Sequence, residues 1–415
     1  MRILKIRIKL IKLLFILSVM RPLFGVRVLE FTSAMAGPFA AMLLADLGAD
    51  VIKVEPFEGD SSRDWGPPFY AEKYSAYFTS ANRGKRSIVV NLRSEGGRDV
   101  VHRLIKTADV MIEAYRPGTA DRLGIGYKDI SSINPRIIYC SISGFGQYGP
   151  FRDYPGYDLV ALAMSGLMDL TGEPNGEPVK FGVPIIDIVT GLYCVISVLA
   201  ALRVREQTGK GTYIDLSLMD SALSILTHQA AHYLASGEIP RRLGSAHSSI
   251  APYQGFRAGD GGYFVVAVGT EKLWQEFCRA IGREDLINDP RFKTNPDRVI
   301  HRPELVEELE KVFMTRPRDY WVELLSKHGI PVAPVLNVKE AVESEHTRAR
   351  GMLLELMHPR IGVVRVMNNP IKAQGIETTT ATPPPMLGEH TEEILKELGY
   401  TQEQIQKLKQ EGVVR

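Results

Sequence analysis

Between residues 26 and 216, short apolar runs alternate with segments of helical period, and few folds tolerate that alternation. VRVLEF (26–31) reads as a buried strand. The loop TSAMAGP follows, with Pro38 placed for the first turn of a helix. Phe39, Met42, Leu43 and Leu47 give that helix one apolar face before Gly48 ends it. VIKVE (51–55) then returns as a second strand. A strand–helix–strand unit of this length predicts parallel pairing, and parallel sheets are covered by helices. The pattern recurs with a strand at 87–91, a helix at 96–106 and strands at 109–115 and 137–143. A helix at 159–170, a long one after residue 187, a strand at 211–216 and a helix at 219–235 complete it. The expected fold class is α/β, an open, doubly wound, Rossmann-like parallel sheet.

Beyond residue 236 the composition shifts. YFVVAV (263–268) follows the turn AGDGG, a hairpin signal, and helical patterns cover 273–281, 302–314 and 318–327. A smaller α+β domain is expected there. A chain of 415 residues accommodates two domains, and 45% hydrophobic with 24% charged residues excludes disordered and collagen-like classes.

The first twenty residues, MRILKIRIKLIKLLFILSVM, are basic and then apolar. A signal peptide has this order, yet no A-x-A-like cleavage site follows, and the apolar tract 13–20 is too short to cross a bilayer. An over-long start with Met20 as initiator, or a mitochondrial presequence, are the readings left. Five of the cations sit in this stretch, so the formal net charge of +2 conceals a net acidic remainder. No basic stripe with interleaved aromatics occurs, so neither nucleic acid nor membrane is an expected partner. Cys140, Cys194 and Cys278 lack metal spacing or a disulfide framework, which suits a reducing compartment. The expected location is the cytoplasm, or the mitochondrial matrix if the N-terminus is a presequence.

The first loop lacks G-x-G-x-x-G, so Glu55 has no dinucleotide fingerprint to serve. No H-E-x-x-H, G-x-S-x-G or Walker loop is present, and no metal site is expected. A basic group does recur: Arg83, Lys85 and Arg86 before one strand, Arg93 after it, and Arg116 and Arg122 in YRPGTADRLG. Loops at carboxyl strand ends line the ligand crevice of such sheets, and Arg93 and Arg116 lie at such ends; Arg83 to Arg86 lie at an amino end and would need the chain to fold back. These side chains suit phosphate; the alternative is a solvated charged edge. In FGVPIIDIVTG (181–191), Asp187 precedes a helical pattern of Val189, Leu192, Val195, Ile196, Leu199 and Leu202. It is expected at or beside the N-cap, held ionised by the helix dipole; spacing alone leaves open whether it does more than cap.

Taken together, GVRVLEF with its AGP turn, LGADVIKVE, NRGKRSI, RPG (116–118), ISGFGQYGP, the Asp187 stretch, TGKGTYID and LGEHT resemble the family III CoA-transferases. That family includes formyl-CoA:oxalate and carnitine CoA-transferases and methylacyl-CoA racemases. The resemblance spans residues 25–400. It implies that Asp187 is the acyl-accepting nucleophile, working through aspartyl anhydrides and an aspartyl-CoA thioester. It implies a CoA thioester as substrate, with no tightly bound cofactor. CoA contacts are implied at Ala36, at Val90, Asn91, Leu92 and Arg93, at Ala114, Tyr115 and Arg116, at Arg122, and at Tyr157 and Asp158.

The racemases place a histidine where this chain has Tyr157 in GYD, and a phenol with a pKa near ~10 shuttles protons poorly at neutral pH. Transferase is therefore favoured over a racemase-like enzyme, and the intact Asp187 favours it over a CoA-binding protein without catalysis. Met35 stands where the oxalate enzymes carry glutamine, which speaks against oxalate. WGPPF (65–69) and GSAHSSIAPYQ (244–254) look more like the dicarboxylate branch, with succinyl-CoA and glutarate as its substrates. There His247, Ser248 and Ser249 would hold a distal carboxylate; a merely structural loop is the alternative. The implied architecture is a Rossmann-like large domain from both chain ends (21–235 and 341–415) with a small domain at 236–340, leaving 1–20 as an extension. Two such chains would interlock as a homodimer.

Overall fold

A computed structural model describes residues 20–415 of the chain; the basic N-terminal stretch lies outside the described residues, apart from Met20. Two compact units are present. The first comprises the described residues up to Ser165, Phe181–Thr227 and His346–Arg415; the second comprises Gly166–Lys180 and His228–Glu345.

The first unit is built on six strands: β1 (Arg27–Phe31), β2 (Asp50–Glu55), β3 (Lys85–Val89), β4 (Val110–Glu113), β5 (Ile138–Ser143) and β6 (Thr212–Ser217). All pair in parallel in the order β3-β2-β1-β4-β5-β6, the doubly wound Rossmann arrangement. The order reverses at β1, where Val28 is in register with Val51 on one side and Val110 on the other. A crevice opens at such a switch point because consecutive crossovers leave on opposite faces.

Four helices matter for the site: α1 (Ala36–Asp46), α2 (Glu95–Thr107), α3 (Asp158–Met164) and α4 (Ile185–Thr208). Ser94 caps α2 by accepting from Gly97 N, and Val100, Val101, Leu104 and Ile105 present its buried face. That face joins Leu29, Ile52 and Met111 of the sheet and Ile394, Leu395 and Ile405 from the C-terminal helices in one core. The C-terminal segment is therefore part of the sheet unit. LGEHT forms the seam: Ser87 Oγ accepts from Gly388 N at 2.9 Å, and Thr391 Oγ1 accepts from Val89 N at 3.3 Å.

Several expected elements have different bounds. The third strand begins at Lys85 and ends at Val89; Val90 N still donates to Glu55 O of β2, but Asn91 N turns away to Val413 O. The helix expected at 159–170 breaks after Met164, with Gly166 at φ +85°. The helix expected at 219–235 is Leu218–Ser224 and then Thr227–Ser236, with Thr227 at φ +42°. Both breaks fall where the chain passes from one unit to the other. A helical period continued through each, so periodicity alone did not reveal them.

The second unit carries a three-stranded antiparallel sheet in the order β9-β8-β7, from β7 (Tyr253–Arg257), β8 (Tyr263–Ala267) and β9 (Val332–Pro334). Gly261 supplies the positive φ that the AGDGG turn requires. Phe256, Phe264, Trp274, Phe277, Phe313 and Trp321 form an aromatic core beneath the sheet.

Candidate active site

A cleft of about 860 Å³ opens at the carboxyl ends of the central strands. The loops after β1 (Thr32–Ala34), β2 (Glu55–Glu58), β3 (Val90–Arg93) and β4 (Ala114–Pro117) line it, as do Ser143 and Gly144 after β5. Tyr154–Tyr157 closes the rim. Of the residues implied as CoA contacts, Val90, Asn91, Leu92, Arg93, Ala114, Tyr115, Arg116 and Tyr157 are gathered here. Ala36, Arg122 and Asp158 are not among the lining residues. Ala36 is buried as the first residue of α1, Arg122 donates to Thr119 Oγ1 at 2.8 Å, and Asp158 is occupied elsewhere.

The basic group divides. Arg93 and Arg116 are exposed at the cleft, as carboxyl strand ends should be. Arg83, Lys85 and Arg86 form neither a phosphate site nor a solvated edge. Arg83 is buried against Asp46 and donates to Met367 O, and Arg86 is shared between Asp50, Glu393 and Glu397. Lys85 is fully buried, its Nζ 2.7 Å from Glu30 Oε2.

Glu30 anchors a charge network beneath the cleft floor. Its Oε1 lies 2.7 Å from Lys53 Nζ and accepts from Thr32 Oγ1 at 2.7 Å. Lys53 Nζ also reaches Asp60 Oδ2 at 2.9 Å, and Asp60 Oδ1 accepts from Ala34 N at 3.2 Å. Burial disfavours the ionised carboxylates, yet Lys53 outweighs it: Asp60 is pulled down to about 2, and Lys53 with Lys85 holds Glu30 low. Burial lowers Lys85 to about 7 against the pull of Glu30. These ties hold Ala34 at φ +67°, a left-handed geometry that alanine adopts only under constraint. The loop after β1 is thus pinned from below. Glu55, the acid that a dinucleotide reading would have used, is paired with Arg63 at 2.7 Å and accepts from Ser87 Oγ.

Asp187 is not at the N-cap of α4. Pro184 occupies that position without a side-chain cap, and Asp187 is the third helical residue. The cap comes from Asp158, whose Oδ1 accepts from Ile186 N at 2.8 Å and Asp187 N at 3.1 Å. Asp158 opens α3 immediately after Tyr157, a rim residue of the cleft. Just before it, the rim segment crosses the loop after β5 at Gly144 and Gly156: a Cβ on Gly144 would lie 2.7 Å from Gly156 Cα. The Asp187 side chain ionises less readily than a helix terminus alone would make it. Burial, reinforced by the Asp158 charge, raises its carboxyl to about 7. Tyr77, which feels both charges, is pushed up to about 12, chiefly by burial, and its ring packs edge-on against Trp65 at 4.9 Å. Sequence reasoning passed over Tyr77 and Asp60; neither belongs to a recognisable spacing.

In the second unit, His247 Nδ1 accepts from Ser249 N at 3.0 Å, which in the neutral ring leaves the proton on Nε2. Its ring stacks on His228, and burial with the His228 and Arg302 charges keeps its pKa low. Arg302 braces the same loop by donating to His247 O at 2.7 Å. Ser248 and Ser249 are neighbours through their hydroxyls at 3.4 Å.

The sequence matches CoA-transferase family III over residues 23–391. It is 43% identical over 397 residues to the succinyl-CoA:glutarate CoA-transferase of Mus musculus, covering 95% of this chain and 91% of the mouse protein. It is 40% identical over 379 residues to the acetyl-CoA:oxalate CoA-transferase of Acetobacter aceti, covering 91% and 95%. Among solved structures, a CAIB/BAIF family protein from Brucella suis aligns with a TM-score of 0.83 at 43% identity, covering 91% of this chain and 99% of that one. Sheet order, chain coverage and relatives together define a CoA-transferase, an enzyme whose substrate is a CoA thioester. Within that class, the chain belongs to family III.

Proposed function

We propose that this enzyme moves CoA from an acyl-CoA, succinyl-CoA being the first choice, to a dicarboxylic acid such as glutarate, with Asp187 as the covalent carrier. The observation that carries the reading is the hydrogen bond from Asp187 N to Asp158, the residue next to Tyr157 on the cleft rim. It supports a carboxyl group delivered beside a cleft whose exposed cations, Arg93 and Arg116, suit the phosphates of CoA.

The Asp187 carboxylate attacks the thioester carbonyl; a C–O bond forms, the C–S bond breaks, and CoA leaves as thiolate. The thiolate attacks the aspartyl carbonyl of the anhydride, forming aspartyl-CoA and releasing the donor acid as carboxylate. The acceptor carboxylate repeats the first step on aspartyl-CoA, and the returning thiolate completes the exchange. Each step exchanges one acyl bond for another, so no ATP is consumed. Within the second unit, His247 Nε2–H and the hydroxyls of Ser248 and Ser249 are donors that suit a carboxylate.

The proposed assembly is a homodimer. Leu192, Ile196, Leu199 and Val204 leave an apolar stripe exposed on α4, Ile196 at 60%, and such a patch calls for a cover. The relative from Acetobacter aceti gives an oxalate acceptor a second place in the test. Incubating the protein with a panel of acyl-CoAs and acids, and following thioester products by mass spectrometry, decides among acceptors. Hydroxylamine or borohydride trapping during turnover must modify the peptide containing Asp187. An unmodified peptide during product formation overturns the covalent reading. Isotope exchange at the α-carbon without CoA transfer would mark a racemase instead.

A further inference from the structure

We propose that Asp158 is a positioning residue for acyl transfer: its Oδ1 seats the first turn of α4, and its charge, beside the Asp187 carboxylate, is a repulsion that acylation of Asp187 relieves. This rests on the reading of Asp187 as the covalent carrier.

The geometry sets Asp158 apart from an ordinary cap. The first turn of a helix leaves backbone N–H groups unpaired, and a neutral serine or asparagine at the N-cap satisfies them. Here the N-cap is Pro184, which supplies no side-chain acceptor. A carboxylate from another helix, α3, takes the N–H groups of Ile186 and Asp187 instead. The acceptor is thus an anion placed against a turn that already holds a second carboxyl. Two like charges at one helix end cost more than one, although the dipole favours each alone.

The elements packed against α4 carry Asp46, Tyr139, Cys140, Tyr213, Asp215 and Asp220. Asp46 is neutralised by Arg83, and burial and Asp158 are what act on Asp187. Tyr77, the remaining neighbour that senses the pair, is a neutral phenol.

When Asp187 attacks, its negative charge leaves the site with the departing thiolate, and the anhydride oxygen that remains is uncharged. Asp158 keeps its charge and its two hydrogen bonds throughout. The free enzyme therefore carries a repulsion that the acyl-enzyme lacks, which favours formation of the adduct without any contact between Asp158 and substrate. The same repulsion makes the Asp187 carboxylate more basic and so a better nucleophile.

Asp158→Asn keeps a carbonyl oxygen for the two N–H groups and removes the charge. The expected result is an acid limb of the kcat/KM–pH profile displaced about one unit lower. The steady-state fraction of hydroxylamine-trapped enzyme should fall several-fold, with the KM for acyl-CoA and the Tm little changed. Asp158→Glu, which restores charge with altered reach, should return the wild-type acid limb at reduced kcat. If the Asn variant keeps both the wild-type acid limb and the wild-type adduct fraction, Asp158 is only a cap and the proposal falls alone. If the wild-type enzyme turns over without any trappable adduct, the carrier reading fails and takes this proposal with it.

Discussion

Lys53 Nζ lies 2.7 Å from Glu30 Oε1 with neither side chain exposed to solvent. The ammonium also serves Asp60, so one lysine neutralises two buried carboxylates under the loop that begins the cleft. Replacing it with methionine leaves Asp60 without its cation and Glu30 with Lys85 alone, and breaking a buried pair in this way costs about 3–5 kcal/mol. Urea denaturation of Lys53→Met should show a loss of that size. Calorimetric titration of the folded fraction should show weakened CoA binding, because Ala34 loses its anchor through Asp60.

Asp187→Asn should abolish exchange, by more than about 10³-fold, and yet stabilise the protein in alkaline buffer. Burial and the Asp158 charge hold the carboxyl at about 7 in the fold, against an ordinary 3.8. The folded state therefore binds this proton more tightly than the unfolded chain does. Its ionisation penalises the fold fully above about pH 7, and the penalty disappears as pH falls toward 4. The Asn variant should melt a few degrees above wild type at pH 8. That margin should shrink toward pH 5, as calorimetry across the range would show; equal melting curves at pH 8 contradict it.

The six basic residues should separate cleanly in kinetics. Arg93→Ala and Arg116→Ala remove exposed cations at the cleft and should raise the KM for acyl-CoA about tenfold or more, with Tm unchanged. Arg83→Ala leaves Asp46 buried without its guanidinium and should lose several degrees of Tm while the surviving folded enzyme keeps its KM. Measuring both quantities on all three variants tests the division.

Gly191 lies one turn beyond Asp187 on α4. A Cβ there would meet Ala36 O at 2.8 Å and Phe39 Cδ1 at 3.1 Å, both on α1. Gly191→Ala should push the two helices apart, cost about 1–3 kcal/mol, and lower kcat as the first turn of α4 moves. A crystal structure of the variant with an unchanged α1–α4 distance, together with normal kcat, would contradict this.

Strand and helix alternation was legible because it depends on side-chain period, which neighbours in sequence decide. β1, β2, β4, β5 and β6 fall close to where their apolar runs lie, and the run order implied the parallel sheet. The chain's motifs were legible as a family pattern, though much of what they do is structural. NRGKRSI buries Arg83 and Lys85, LGEHT clamps Ser87 and Val89, and the second glycine of TGKG lets residue 211 approach Ile137 O.

What local period cannot carry is charge state and capping, since both depend on groups distant in the chain. Asp187 reads from its own stretch as an ionised group at or beside an N-cap, because the sequence around it shows only a helix about to start. Asp158, 29 residues earlier, takes the cap and adds a second negative charge. Arg83 and Lys85, at an amino strand end, were already poorly placed for phosphate, but only the packing of Asp46 and Glu30 against them makes them buried supports. The amino-acid sequence by itself determined which elements form, in what order, and which carboxyl group to examine. Tertiary structure decided what surrounds that carboxyl, because electrostatic environment is a property of distance in space and sequence specifies distance only along the chain.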